Sequence, residues 1–291
     1  MFEGVFTAIV TPFTRDGKID ESALRKLVDF QIEKGISGIV PVGTTGESPT
    51  LSHEEHHRVI EIVIDQVNGR VPVIAGTGSN CTEEAIRMTE KAKEAGATAS
   101  LQVAPYYNKP TQEGFYRHFT AIADAVDIPI IVYNIPGRSG KNIENSTMLE
   151  LAKHKNIVGV KEASGNINQM MDLILNKPDS FVVLSGDDNL TLPLMALGGK
   201  GVISVASNIV PDRMAEFVGA ALKGEWDTAR KLHYELLPLF RAIFIETNPI
   251  PIKAALAMKG MIEETYRLPM CEMSEEHRKV LKSVLEKLNI L

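Results

Sequence analysis

Short apolar runs alternate with longer amphipathic segments through most of the chain. Residues 4–10, 38–42, 71–75, 99–104, 128–133, 156–161, 181–184 and 201–205 are mostly apolar and bounded by turn residues, which predicts buried strands. The segments between them have helical period. Asp20 is placed to cap a helix that ends at Gly35. Ser52 and Glu55 form a capping box for one reaching Asn68, and Thr82 is expected to cap one that stops at Gly96. Further helices are predicted over 112–125, over 146–153, ahead of the seventh strand, over 190–197 and from 211 to 223. Strands that alternate with helices make a parallel sheet, because parallel neighbours need crossover connections.

Eight such units predict an α/β fold, a closed (β/α)8 TIM barrel over residues 1–224. An open doubly wound sheet is the alternative. That fold usually carries a glycine-rich fingerprint after its first strand, where Thr11, Pro12 and Phe13 stand here. From residue 225 the strand pattern stops. Helices are expected over 226–240, 251–261 and 274–288, so residues 225–291 read as a C-terminal helical appendage packed on the barrel flank.

Composition changes this picture little. With 44% hydrophobic and 23% charged residues and a net charge of −6, the chain reads as globular, with no nucleic-acid or membrane partner indicated. Cys81 and Cys271 lie far apart and match no metal spacing, which fits reduced thiols in the cytoplasm. The N-terminus lacks a basic region ahead of an apolar one, so no signal peptide is expected.

In barrels of this kind the chemistry sits at the C-terminal ends of the strands. Those ends carry Thr44 and Thr45, Tyr107, Tyr133, Lys161, Gly186 and Ser204. Strand alternation turns Lys161 away from Val158 and Val160. A buried amine loses its charge and can attack a carbonyl to form a Schiff base. Tyr133, on the preceding strand, can move protons, and Thr44 and Tyr107 can extend the relay. Gly43, Thr45 and Gly46 offer backbone N–H groups for a carboxylate, and Arg138 can clamp a second one. Individually, each has a plainer reading: a satisfied core tyrosine, a tight turn, a surface arginine. His53, His56 and His57 share one helix without further ligands, so no metal site is expected.

The runs 43–48 (GTTGES), 105–110 (PYYNKP), 133–136 (YNIP) with Arg138, and 160–163 (VKEA) resemble the dihydrodipicolinate synthase family over essentially the whole chain. The resemblance implies a homotetramer without cofactor that condenses pyruvate with L-aspartate 4-semialdehyde on the route to diaminopimelate and lysine. It implies Lys161 as the Schiff-base lysine and Tyr133 as proton donor and acceptor. Thr44 and Tyr107 would complete the relay, Tyr107 reaching in from a neighbouring subunit. Thr45 and Ile203 match pyruvate-binding positions, Gly186 lines the site, and Arg138 binds the semialdehyde carboxylate. Gly137 replaces a serine frequent in the family. Ser48, His53, His56, Asn80, Glu84 and Tyr106 match the site of the feedback effector L-lysine, where Pro49 replaces a common alanine. Sialic acid (N-acetylneuraminate) lyases and 2-keto-3-deoxy sugar-acid aldolases share the lysine and tyrosine and are the alternative activity. A non-catalytic ligand-binding relative would have lost a relay member, and none is missing.

Overall fold

The computed structural model describes residues 2–291. Eight parallel strands follow one another: β1 (Gly4–Ala8), β2 (Gly38–Val40), β3 (Ile74–Gly76), β4 (Ala99–Val103), β5 (Ile130–Asn134), β6 (Ile157–Glu162), β7 (Val182–Ser185) and β8 (Gly201–Ser204). Between them run α1 (Glu21–Glu33), α2 (His53–Val67), α3 (Thr82–Ala95), α4 (Gln112–Ala125), α5 (Pro136–Ser139), α6 (Asn145–Leu151), α7 (Ile167–Asn176) and α8 (Thr191–Ala196). After β8 come α9 (Pro211–Leu222), α10 (Trp226–Ala242), α11 (Ile250–Met258) and α12 (Glu275–Lys287).

The hydrogen-bonded order is β2-β1-β8-β7-β6-β5-β4-β3. The remaining seam is closed by a bridge between Ile39 and Val73 and by the Ile39 N–H donating to Pro72 O at 3.0 Å. The barrel is therefore continuous, and the open sheet is excluded. The seam is thin because Pro41 and Pro72 lack an N–H to donate. This also shortens β2 and β3 relative to the sequence expectation. β1 likewise ends early: the Val10 N–H bonds the Asn208 side chain instead of a strand.

Two apolar layers follow from strand alternation. Phe6, Ala8, Val40, Ile74, Leu101, Ile131, Leu184 and Ile203 fill the barrel interior. The alternate positions, such as Val5, Ile130, Val132 and Val160, pack outward against the helices. Strand β6 departs from strict alternation. Ile130 pairs with Ile157 but Ile131 pairs with Gly159, leaving a bulge at Val158. Val158 consequently packs with the interior layer, on the same side as Lys161, while Val160 faces outward as expected.

The helix caps expected at Asp20 and Ser52 are present, the latter as a full capping box. Thr82 is not a cap. Cys81 occupies that position, and the Thr82 hydroxyl, one residue inside the helix, bonds the His118 ring at 2.9 Å. The short helix α5 was not expected. Pro136 at its start and Gly140, left-handed at its end, delimit it.

Helices α10, α11 and α12 bury Leu236, Ile252 and Leu285 in the same apolar cluster as the α1, α2 and α9 faces. They also carry a polar strut. Lys253 Nζ lies 2.5 Å from Glu47 Oε1, with both side chains sealed from solvent. The rings of Phe13 and Tyr266 lie over the same ammonium. Arg267 holds Glu55 and the carbonyls of Gly17 and Thr50. The appendage thus grips the loop between β2 and α2 as well as the barrel flank. No described helix is long and apolar enough to cross a membrane.

Candidate active site

Lys161 sits one residue from the end of β6 and is buried at the barrel mouth. Its register partner on β5 is Tyr133 and on β7 is Leu184. The amine lies over the Tyr133 ring, 4.1 Å from the centroid. Gly186 makes the third wall: a Cβ there would stand 3.1 Å from two carbons of the lysine stem and 2.8 Å from Ala163 Cβ. Only glycine lets the end of β7 approach so closely.

Burial brings the Lys161 amine down to about 7. The Asp188 carboxylate pulls it back up and the Arg138 guanidinium pushes it further down. Near neutral pH a large fraction of the amine is therefore unprotonated and nucleophilic. Tyr133 moves the other way. Burial pushes its phenol up to about 12, against the Arg138 charge and the Thr44 hydroxyl. Beside a neutral amine it remains a proton donor.

The loop after β2 supplies Thr44 and Thr45. Thr44 lines the mouth beside Tyr133, and Thr45 is buried, its Oγ1 accepting from Asn248 Nδ2 at 3.0 Å. The expected cradle of three N–H groups is reduced, because Gly46 N donates to Gly43 O at 3.1 Å within the turn. Val42 and Glu47 bracket this loop in left-handed backbone conformations, which cost ~1–3 kcal/mol each unless the surroundings impose them. The Lys253–Glu47 pair is such a constraint. Ile203 lies inside the barrel on β8, opposite Phe6 of β1.

Arg138, on α5, is exposed but anchored: its Nη2 donates to Asn248 O at 3.2 Å, and it lines the same cavity as Thr44 and Tyr133. Tyr107 is different. Its turn is pinned where Asn80 Nδ2 donates to Tyr106 O and Asn108 Nδ2 donates to Asn80 O, yet the Tyr107 side chain is 90% exposed and its backbone left-handed, φ +70°. Within one chain, Tyr107 does not join Tyr133 and Thr44.

The cavity measures ≈ 410 Å³ and is shared. Thr44, Tyr133 and Arg138 line it together with Ser48, His53, His56, Glu84 and Tyr106. His53 Nε2 lies 2.9 Å from Glu84 Oε1, which leaves Glu84 more than a first-turn helix charge. Ser79 also donates to Glu84. His56 is buried rather than a surface residue, and burial lowers its ring to about 4, so it is neutral. Asn80 adjoins this group through Tyr106 O. Among the described residues no His, Cys, Asp and Glu cluster is arranged to hold a metal ion.

Two residues at the site escaped the sequence reading. Asp188 accepts the Val205 and Ala206 N–H groups at 3.0 Å, and burial raises its carboxyl to about 6. Its signal was an acidic pair, Asp187 and Asp188, one glycine past a strand end. Asn248 lies far along the chain in the helical region, and nothing in the local pattern links it to the barrel mouth.

The profile of the dihydrodipicolinate synthetase family matches residues 1–288. A 4-hydroxy-tetrahydrodipicolinate synthase from Syntrophus aciditrophicus (strain SB) is 60% identical over 291 residues, covering 100% of both chains. The chloride-inhibited dihydrodipicolinate synthase from Acinetobacter baumannii, complexed with pyruvate, superposes with a TM-score of 0.99 at 46% identity, covering 100% of both chains. The enzyme from Cyanidioschyzon merolae with lysine bound gives 0.97 at 41% identity, over 100% of this chain and 99% of that one.

The lowered Lys161 amine predicts a pH signature. Reductive methylation with formaldehyde and cyanoborohydride, mapped by mass spectrometry, should reach half its maximal rate at Lys161 near pH 7, against ~10.4 for ordinary lysines. Arg138→Ala removes a charge that lowers the amine, so the midpoint should move upward. A midpoint in the ordinary lysine range for the wild type refutes the environment described.

Proposed function

The chain belongs to the dihydrodipicolinate synthetase family, and on that footing we propose how its barrel mouth condenses pyruvate with L-aspartate 4-semialdehyde, the 4-hydroxy-tetrahydrodipicolinate synthase reaction. The observation that carries this reading is the buried Lys161 amine against the Tyr133 ring.

The neutral amine adds to the pyruvate carbonyl carbon. Tyr133 gives a proton to the departing oxygen, which leaves as water, and the lysine becomes an iminium. Loss of a methyl proton gives the enamine, whose carbon attacks the aldehyde of the second substrate. The substrate's own amine then displaces Lys161 and closes the ring, so that one water is lost overall. Thr44 and Tyr107 pass the protons between Tyr133 and solvent. Thr45 and the loop N–H groups other than that of Gly46 hold the pyruvate carboxylate over Ile203 and Gly186. Arg138 takes the semialdehyde carboxylate bidentately, which a lysine cannot imitate. The two free cysteines fit a cytoplasmic setting.

Tyr107 enters the relay from a second copy. Its exposure and its pinned, left-handed turn support an exchange of tyrosines across a two-fold interface, with two such dimers forming a homotetramer. L-lysine acts as effector, its ammonium meeting Glu84 and Tyr106 in the shared cavity and disturbing Tyr107 through the same turn.

Borohydride reduction with pyruvate present should add one pyruvate-derived mass at Lys161. Arg138→Ala should keep that adduct while losing use of the semialdehyde by ~10-fold or more. Label on another lysine, or none, defeats the assignment of Lys161.

Mixing Tyr107→Phe with Lys161→Ala should regenerate activity, because a mixed dimer contains one intact site. No recovery in mass-verified mixed dimers rejects cross-subunit supply.

Calorimetry with L-lysine beside an activity titration should show binding and inhibition, both weakened in Glu84→Thr. Coupling of this kind is typically ~5–150-fold in affinity. Saturating L-lysine that neither binds nor slows the wild type removes the effector from the scheme.

A further inference from the structure

Asn248 belongs to the segment that leads into α11, yet it is buried at the barrel mouth. Its two polar ends do different things. The side-chain Nδ2 donates to Thr45 Oγ1 at 3.0 Å, a fully buried contact. The main-chain carbonyl accepts from Arg138 Nη2 at 3.2 Å. Its side-chain Oδ1 is buried without a hydrogen-bond partner.

A threonine hydroxyl has a single proton to give. Because Thr45 Oγ1 accepts from Asn248, its own proton is directed elsewhere. A carboxylate has no proton to offer and takes only donors. The direction of the Thr45–Asn248 bond therefore decides whether Thr45 presents a proton or a lone pair to an anion.

We infer that Asn248 is a positioning residue for pyruvate recognition: it sets the polarity of the Thr45 hydroxyl so that this hydroxyl donates to the substrate carboxylate. The inference rests on the reading of Thr45 as a pyruvate-binding residue. The C-terminal helical region then takes part in specificity. Lys253, five residues on, reinforces this by pairing with Glu47 at the other end of the Thr45 loop.

The test uses the full-length enzyme and separates polarity from packing. Asn248→Ala removes the donor and leaves the Thr45 hydroxyl free to turn. Asn248→Asp keeps the shape but replaces the donor with an acceptor that claims the Thr45 proton. The Michaelis constant for pyruvate should rise ~10-fold in Asn248→Ala and ~100-fold in Asn248→Asp, the range of hydrogen bonds to charged groups. The constant for the semialdehyde should stay within about threefold, because Arg138 is held by the main-chain carbonyl. Thr45→Val should itself raise the pyruvate constant, and adding Asn248→Ala to it should cause no further change.

An aspartate variant no worse than the alanine variant overturns the polarity argument. If the aspartate protein does not fold, additive losses in Thr45→Val with Asn248→Ala overturn it equally. A Thr45→Val loss with no Asn248 loss defeats this inference alone. An unaltered pyruvate constant in Thr45→Val defeats the reading of Thr45 and the inference with it.

Discussion

A primary amine is a useful nucleophile at neutral pH only where water is kept from its charged form. That single constraint accounts for much of the barrel's build. Lys161 stands on an apolar interior layer of Ile131, Leu184 and Ile203, is roofed by the Tyr133 ring, and is approached by Gly186 closely enough to exclude solvent from its stem. A closed barrel supplies such a place because it has no edge through which water reaches the strand ends from the side. The thin β2–β3 seam, closed by one bridge and main-chain bonds across two prolines, therefore matters beyond its length.

The same desolvation acts with opposite sign on neighbouring groups. It lowers the amine and raises the Tyr133 phenol and the Asp188 carboxyl. An acid and a base with values pushed apart by one environment are the pairing that a proton-transfer cycle needs. Arg138 tunes two of these groups from the rim, lowering both the amine and the phenol.

The sequence made the barrel legible because each strand and helix announces itself locally, through runs of one period bounded by turn residues. Lys161 and Tyr133 were legible for the same reason: both close apolar strands, and the parallel register then places them side by side. What escaped was set by contacts that no period encodes. The Val158 bulge needs knowledge of how β5 and β6 align. Helix α5 is a single turn, too short for an apolar stripe to mark it. Asn248 and Lys253 lie in a segment that reads as flank packing, and only the folded chain brings them to Thr45 and Glu47. Tyr107 could be named from the sequence, but its place outside its own barrel depends on one left-handed turn.

The contacts of Asn248 with Thr45 and of Lys253 with Glu47 span 203 and 206 residues. A chain is made from its N-terminus at ~5–20 residues per second, so about 10–40 s separate the loop from the residues that secure it. During that interval the strained loop can emerge from the ribosome, but these two polar anchors do not yet exist. Translation thus delivers the scaffold first and the fastening last. A polypeptide stopped early has a loose β2–α2 loop, and the barrel mouth is finished only as synthesis nears its end.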